Sequence, residues 1–104
     1  MAAYTKDYRE SVLERIRRDD EYAKALFAEA CSCILEGEPR IGLDMLRDLI
    51  HAKITFKKLA ADTGLGEKSL HRMLGKSGNP TISSLSAILS VIETQLDIHP
   101  QVTA

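Results

Sequence analysis

Tryptophan is absent from the 104-residue chain, and only five residues are tyrosine or phenylalanine. The core therefore has to be built from leucine, isoleucine, alanine and methionine, which pack well between helices. Proline and glycine together account for nine residues, which excludes a collagen-like chain, and a hydrophobic content of 44% excludes a wholly disordered one. The length fits one domain and leaves no room for a second independent core.

Long apolar runs are also missing. No segment approaches the roughly 18 uncharged apolar residues that a membrane-spanning helix needs, and residues 1–10 lack the apolar segment of a signal peptide. We therefore expect a cytoplasmic protein with no membrane partner. Alternating strand-like patterns do not extend beyond about three residues, and no internal repeat is present. These absences favour an all-α fold.

The only cysteines, Cys31 and Cys33, lie two positions apart on a predicted helix. Residues at that spacing point to different faces, so a disulfide between them is geometrically poor. No second pair of cysteines or histidines stands at ligand spacing, which argues against a metal site. We expect both cysteines to be small core residues, and we predict no metal or other cofactor.

Charge is unevenly distributed along the chain, although the formal net charge is only −1. Residues 1–38 carry a balance of −3, residues 39–52 are neutral, residues 53–76 carry +4 and residues 77–104 carry −2. Contacts with phosphates depend on local charge, so the third of these segments suits a polyanion. The alternative is that its lysines only solvate an exposed helix face.

Apolar residues recur at helical spacing in six segments, which predicts a domain of five or six helices. The segments span about residues 5–18, 20–36, 39–53, 55–63, 66–74 and 81–96. Asp19 and Asp20 can cap the second helix and Gly37 can end it, whereas Gly42 is expected to weaken the third slightly. The last helix is expected to present a continuous apolar face of Ile82, Leu85, Ile88, Leu89 and Ile92.

Residues 59–74 have the spacing of a helix-turn-helix unit. Ala60 lets the second helix cross closely, and Gly64 supplies the positive φ of the tight turn. The junction is expected to be buried by Leu59, Leu65, Leu70 and Met73. The outward face of helix 66–74 would then enter a DNA major groove with five candidate base-reading residues, Glu67, Lys68, Ser69, His71 and Arg72.

Four further residues near this unit are candidate phosphate contacts: Thr55, Lys57, Lys76 and Asn79. Thr55 lies at a helix N-terminus, where it can serve as an ordinary cap or present its hydroxyl and backbone N–H groups to a phosphate. Lys76 and Asn79 lie in a turn-forming loop, so turn chemistry is the alternative to DNA contact there.

Catalytic and nucleotide-binding sites are not indicated. His51, His71 and His99 are far apart in sequence and have no serine, cysteine or carboxylate partner at a recognisable spacing. The tripeptide 75–77 has the order Gly-Lys-Ser of a phosphate-binding loop, but Leu70 occupies the position of the required glycine. We therefore expect no enzymatic activity.

The segment Leu59–Leu74 resembles the helix-turn-helix of the Xre/Cro family, the lambda-repressor-like DNA-binding domains. Three further stretches, 18–26, 46–50 and 77–80, are similar to bacterial addiction-module antidote proteins, the HigA-like antitoxins. The resemblance covers about residues 18–93. It implies a small bacterial repressor, commonly dimeric, that binds the operator of its own operon and neutralises a toxin of the RelE/HigB type.

Two residues depart from the pattern of that family. Phe56 occupies the position after the helix cap where many Xre-type repressors have a phosphate-contacting glutamine, and Gly66 stands where a capping serine or threonine is usual. Both departures favour a rival function, an antitoxin that binds its toxin with weak or no DNA readout. A transcriptional regulator with no toxin partner is a third alternative.

The predicted domain covers residues 1–96, and residues 97–104 are expected to form a flexible tail. A helix-turn-helix core needs only residues 39–96, which leaves residues 1–38 as an N-terminal helical extension. This extension either enlarges the core or forms an acidic face for a dimer partner or a basic toxin. Its candidate anchors are Tyr4, Tyr8 and Tyr22, since tyrosine is enriched at interfaces.

Overall fold

The computed structural model of the protein describes residues 6–98, and this part of the chain contains six α-helices, one π-helical turn and no strand. The helices are α1 Lys6–Arg18, α2 Asp20–Leu35, α3 Pro39–Leu49, α4 Phe56–Thr63, α5 Glu67–Met73 and α6 Ile82–Leu96. The predicted all-α class is thereby confirmed. The third predicted helix changes character before its end, because a π-helical turn, Ile50–Ile54, follows α3. Tyr4, His99 and most of the predicted tail lie outside the described residues.

Side-chain caps begin three of the helices. A carboxylate oxygen of Asp19 accepts a hydrogen bond from the backbone N–H of Tyr22 at 3.0 Å, which satisfies one of the free donors at the start of α2. The hydroxyl of Thr81 accepts from the N–H of Ser84 at 3.1 Å and caps α6 in the same way. Thr55 caps α4. These short polar residues fix where the helices start.

One hydrophobic core joins the N-terminal helices to the rest of the chain. Leu13 and Ile16 of α1, with Ala23, Phe27 and Ala30 of α2, belong to the same buried cluster as the apolar residues of α3, α4, α5 and α6. Residues 6–35 therefore enlarge the core, which was one of the two expectations for them. The division of the chain into an extension and a helix-turn-helix core stays a prediction.

Polar contacts reinforce the attachment of α1 and α2. The ammonium group of Lys53 donates to the carbonyl oxygen of Arg17 at 3.0 Å and to a carboxylate oxygen of Asp20 at 2.5 Å. The guanidinium of Arg9 lies 2.9 Å from a carboxylate oxygen of Asp48. The π-helical turn and α3 are thus tied to the two N-terminal helices by charge as well as by packing.

Gly42 has a packing role in α3 beyond the slight weakening expected of a glycine in a helix. A Cβ at this position would lie 2.7 Å from the carbonyl oxygen of Ala30 and 2.7 Å from Cγ1 of Ile34. Real Cβ atoms do not approach other atoms that closely, so only glycine allows α3 to pack on α2 at this separation. The local loss of helix propensity is accompanied by close packing between the two helices.

Two apolar residues, Cys33 and Ile82, differ from their predicted environment. Cys31 packs against the core, and burial raises the pKa of its thiol, but Cys33 is only half-buried and lies outside the core cluster. Ile82 is 85% exposed, so the apolar face of α6 is only partly covered. Sequence periodicity identified the face of α6 correctly but could not show that one edge of it remains uncovered.

Candidate nucleic-acid interface

Helices α4 and α5 meet through a three-residue turn. Leu59 of α4, Leu70 of α5 and Leu74 at the end of α5 are fully buried, whereas Leu65 in the turn and Met73 are half-buried against the same core. Gly64 has φ +78° and ψ 4°, which is the left-handed conformation that glycine adopts without strain. Its N–H donates to the carbonyl oxygen of Ala60 at 2.9 Å and closes α4. The turn therefore fixes the direction in which α5 leaves.

The outward face of α5 carries all five candidate base-reading residues. Glu67, Lys68, His71 and Arg72 are exposed, and Ser69 is half-buried. The guanidinium of Arg72 donates to the hydroxyl of Ser69 at 3.4 Å, a long contact. The structure thus brings hydrogen-bond donors and acceptors together on one short helix whose opposite face is buried.

Phe56 holds one of these side chains in place. Its ring is 6% exposed and stacks on the imidazole of His71, with ring centroids 3.9 Å apart and an interplanar angle of 19°. On the same helix, a carboxylate oxygen of Glu67 lies 3.9 Å from Nε2 of His71. The sequence pattern does not predict this contact and indicates only that Phe56 lacks the phosphate contact of a glutamine. The helix-turn-helix spacing places the first residue of α4 near α5, and this proximity is the sequence signal that could have indicated the contact.

Two arginines of α3 hold the loop that follows α5, and no sequence pattern indicates this role. One guanidinium nitrogen of Arg40 donates to the carbonyl oxygens of Gly75 and Lys76, and the other donates to Gly78 at 3.2 Å. Arg47 donates to the carbonyl oxygen of Leu74 at 3.3 Å. These bonds satisfy carbonyls at the C-terminal end of α5, where a positive charge is also favoured by the helix dipole.

The loop held by these arginines presents two of the candidate phosphate contacts. Lys76 and Asn79 are both exposed in it. They lie 36 and 39 residues after Arg40 in sequence, so no short-range pattern connects them with it. The fixed backbone limits the positions that the two side chains can take, which favours contacts of defined geometry.

Thr55 acts as a helix cap. Its hydroxyl accepts from the backbone N–H of Lys58 at 3.2 Å, and its own N–H donates to the carbonyl oxygen of Ile50 at 2.7 Å. Its φ of +94° is rare for a β-branched residue, so the backbone is strained where the π-helical turn meets α4. Of the two roles expected for Thr55, the structure shows the cap, and a phosphate contact stays a prediction.

The positive surface is smaller than the charge balance of residues 53–76 indicated. Lys53 is paired with Asp20, and the ammonium group of Lys58 lies 3.2 Å from a carboxylate oxygen of Asp62. Within residues 6–98, the ammonium groups of Lys57, Lys68 and Lys76 have no hydrogen bond or ion pair. Together with Arg72, they form a set of four exposed cations on α4, α5 and the following loop.

Alternative kinds of site find no support in the described part of the chain. No group of three or more histidine, cysteine, aspartate or glutamate residues among residues 6–98 is placed to hold a metal ion. None of the six described helices is both long and apolar enough to cross a bilayer.

Comparison with known families identifies the helix-turn-helix. Residues 45–97, about half of the chain, match the model of the Cro/C1-type helix-turn-helix DNA-binding domain. The chain belongs to this family. No curated protein and no solved structure matches the chain. The matched range runs from the middle of α3 to the end of α6 and includes every candidate DNA-contacting residue. The protein is therefore a DNA-binding regulator of transcription, and the family resemblance seen in the sequence is confirmed at this level.

Proposed function

We propose that the protein is a sequence-specific repressor that binds a two-fold-related operator as a homodimer, with α5 in the major groove. The observation that carries this proposal is the exposed face of α5, where Lys68 and Arg72 stand beside Glu67, Ser69 and His71. A helix with one buried face and one face of mixed donors and acceptors suits contacts with base edges. The half-sites would lie about one DNA turn, roughly 34 Å, apart.

Phosphate contacts would position α5 in the groove. Lys57 on the first turn of α4 and Lys76 in the loop flank α5 along the chain, and both are exposed. Such contacts add affinity without distinguishing sequences, whereas groups on α5 distinguish bases. Arg72 suits the acceptors of guanine, and the carboxylate of Glu67 suits the amino group of cytosine.

A fluorescence-anisotropy titration tests this function. The protein is titrated against a labelled fragment of its own promoter and against a scrambled fragment, at two salt concentrations. We expect tighter binding to the promoter, and a slope of log K against log[salt] of about −7 if each subunit of the dimer neutralises about four phosphates. Equal binding to both fragments, or an affinity that does not respond to salt, would contradict the repressor function.

We further propose that this repressor is the antitoxin of a toxin-antitoxin module. The proposal rests on the resemblance to addiction-module antidote proteins and on the acidic surface of α2 and its C-terminal end. Glu29, Glu36 and Glu38 are exposed there, and none of them has an ion-pair partner within residues 6–98. Exposed carboxylates of one sign favour encounter with a basic protein such as a RelE/HigB-like toxin.

Co-expression tests the antitoxin proposal separately from DNA binding. The product of the adjacent reading frame is expressed alone and with this protein, and growth is measured. We expect growth arrest by the neighbour and rescue by the protein, with weaker rescue by the variant Glu29→Lys, Glu36→Lys. The control is Arg72→Ala, which should impair promoter binding but preserve rescue. A harmless neighbour would leave a regulator without a toxin, and rescue without promoter preference would favour the rival function, an antitoxin with weak DNA readout.

A further inference from the structure

An apolar groove runs along α6, on a side formed with α2. Its lining residues are Phe27, Ala28, Cys31, Ile82, Leu85, Ser86, Leu89, Ser90, Glu93 and Ile98. The α6 members recur every three or four residues and therefore form one stripe about 16 Å long, given a rise of 1.5 Å per residue. Ile82 at the start of the stripe is 85% exposed. The helix-turn-helix contacts described above do not use this surface.

We propose that the groove is the homodimer interface, in which the α6 helices of two copies pack antiparallel across a two-fold axis. This inference rests on the homodimer of the proposed function and assigns its surface. It places the dimer interface on α6 and not on the N-terminal helices, which are the other candidate for a dimer face.

Charge favours the groove for self-association. Among the described residues that line it, Glu93 alone carries a full charge. A two-fold axis brings identical surfaces together, so an acidic face would meet an acidic face. Like charges placed opposite each other in an interface are unfavourable, which argues against pairing through the exposed carboxylates of α2 and its C-terminal end. The nearly uncharged groove avoids this repulsion.

The order of large and small residues in the stripe is self-complementary in the antiparallel direction. With the two-fold axis beside the midpoint of the stripe, between Ala87 and Ile88, Leu85 of one copy lies opposite Ser90 of the other. The same register places Leu89 opposite Ser86. Each large side chain therefore meets a small one, which allows the two helices to interdigitate. A parallel arrangement would set leucine against leucine at two levels.

The same register places Glu93, the one charged residue of the groove among those described, in a favourable environment. Glu93 of one copy lies opposite Ile82 of the other, at the N-terminal end of α6. Free backbone N–H groups and the helix dipole make that end attractive for a carboxylate. Exposed Ile82 would be covered by the aliphatic part of the Glu93 side chain, so both residues of this pair gain from association.

Sedimentation equilibrium of the full chain tests the interface and its register. We expect a wild-type dimer, and we expect Ile82→Glu to raise the dimer dissociation constant by roughly tenfold or more, because it sets two carboxylates against each other. Ile82→Lys is expected to raise it much less, since the lysine meets Glu93 of the other copy. The matched control is Leu35→Glu, because Leu35 is 86% exposed at the end of α2 and does not line the groove.

Four outcomes would overturn the inference. These are a wild type that is monomeric throughout the concentration range, an unchanged dimer in Ile82→Glu, the same loss in Leu35→Glu, and equal losses in Ile82→Glu and Ile82→Lys. The last result would exclude the antiparallel register.

Anisotropy with a DNA fragment that contains one half-site separates this inference from the proposed function. We expect Ile82→Glu to bind the half-site as the wild type does and to lose its advantage on the full promoter fragment. A wild-type dimer that binds the promoter specifically and is unchanged by Ile82→Glu would refute the interface and preserve the repressor. A dimer that depends on Ile82 but shows no promoter preference would support the interface and refute the repressor function.

Discussion

The imidazole of His71 stacks on the ring of Phe56 at a centroid distance of 3.9 Å, which joins the first residue of α4 to the outward face of α5. Phe56 is buried and cannot move freely, whereas His71 is exposed. A stacked aromatic pair contributes about 0.5–1.5 kcal/mol beyond burial of its area. Phe56 therefore restricts the orientation of His71 at the place where a base edge would lie.

The first prediction is that Phe56→Leu lowers promoter discrimination through His71. Leucine keeps most of the buried volume but provides no ring for stacking, so the imidazole gains freedom. We expect the preference for promoter over scrambled DNA to fall by about 1 kcal/mol in both Phe56→Leu and His71→Ala, because both lose one oriented base contact. The measurement is anisotropy with both DNA fragments.

The double variant provides the control for this prediction. If Phe56 acts through His71, then Phe56→Leu, His71→Ala should discriminate no worse than His71→Ala alone. Rescue of discrimination by Phe56→Tyr, which restores an aromatic ring, would support the same assignment. Additive losses in the double variant would show that the two residues act independently.

The second prediction concerns Arg72. Its guanidinium is exposed on α5 and makes only a long contact with Ser69, so its removal should leave the fold intact. We expect Arg72→Ala to weaken promoter binding by about 1–3 kcal/mol and to relax specificity at one base pair. Arg17→Ala serves as the control, since Arg17 is an exposed arginine on α1 that pairs with Glu14. Equal weakening by both variants would indicate a general effect of charge.

The third prediction assigns Lys76 to a phosphate. Its ammonium group is exposed in the loop that Arg40 holds, so it should contribute affinity without sequence preference. We expect Lys76→Ala to weaken binding to promoter and scrambled DNA equally and to reduce the magnitude of the salt slope by about 1 per subunit. A loss confined to the promoter would instead make Lys76 a base contact.

The fourth prediction concerns the turn between α4 and α5. Gly64 has φ +78°, a conformation that β-branched residues adopt poorly. We expect Gly64→Val to reduce the free energy of unfolding by about 1–3 kcal/mol, measured by urea denaturation followed by circular dichroism. Gly66→Ser is the matched control, because Gly66 has φ −68° at the N-cap of α5 and serine should stabilise that cap by a few tenths of a kcal/mol. A Gly64→Val variant as stable as the wild type would refute the argument.

Local patterns predicted the helices because their causes are local. Asp19 and Thr81 cap helices through bonds to residues three positions away, and Gly37 ends α2 with φ +85°. Such caps depend on side-chain types at fixed offsets, which a sequence displays directly. The helix-turn-helix spacing belongs to the same class of information.

The missed features depend on contacts between distant parts of the chain. Arg40 binds the loop around Lys76, and its sequence neighbours contain no hint of that partner. Gly42 is explained only by the approach of α2, and the stack of Phe56 on His71 only by the crossing of α4 and α5. The exposed edge of α6 was missed for the same reason, since periodicity shows which residues share a face but not how much of it is covered.

Asp48 has an unfavourable environment for its charge, which makes stability depend on pH. Burial raises the pKa of its carboxyl above the ordinary value of 3.8, although the Arg9 guanidinium opposes this shift. One carboxylate oxygen is buried and lies 2.9 Å from Arg9 without the geometry of a hydrogen bond. The folded state therefore binds this proton more tightly than the unfolded state does. The resulting stabilisation is complete below the ordinary value and is lost as pH rises through the raised pKa.

The fifth prediction is that Asp48→Asn gains stability relative to the wild type as pH rises from about 3 to about 7, because asparagine never ionises. Urea denaturation at several pH values measures the difference. Asp20→Asn is the control of opposite sign, because Lys53 lowers the pKa of Asp20. The wild type has the stabilisation from this ion pair above the ordinary pKa of an aspartate and loses it as pH falls through the lowered pKa. The Asp20→Asn variant should therefore lose stability relative to the wild type as pH rises. Parallel curves for the two variants would refute the burial argument for Asp48.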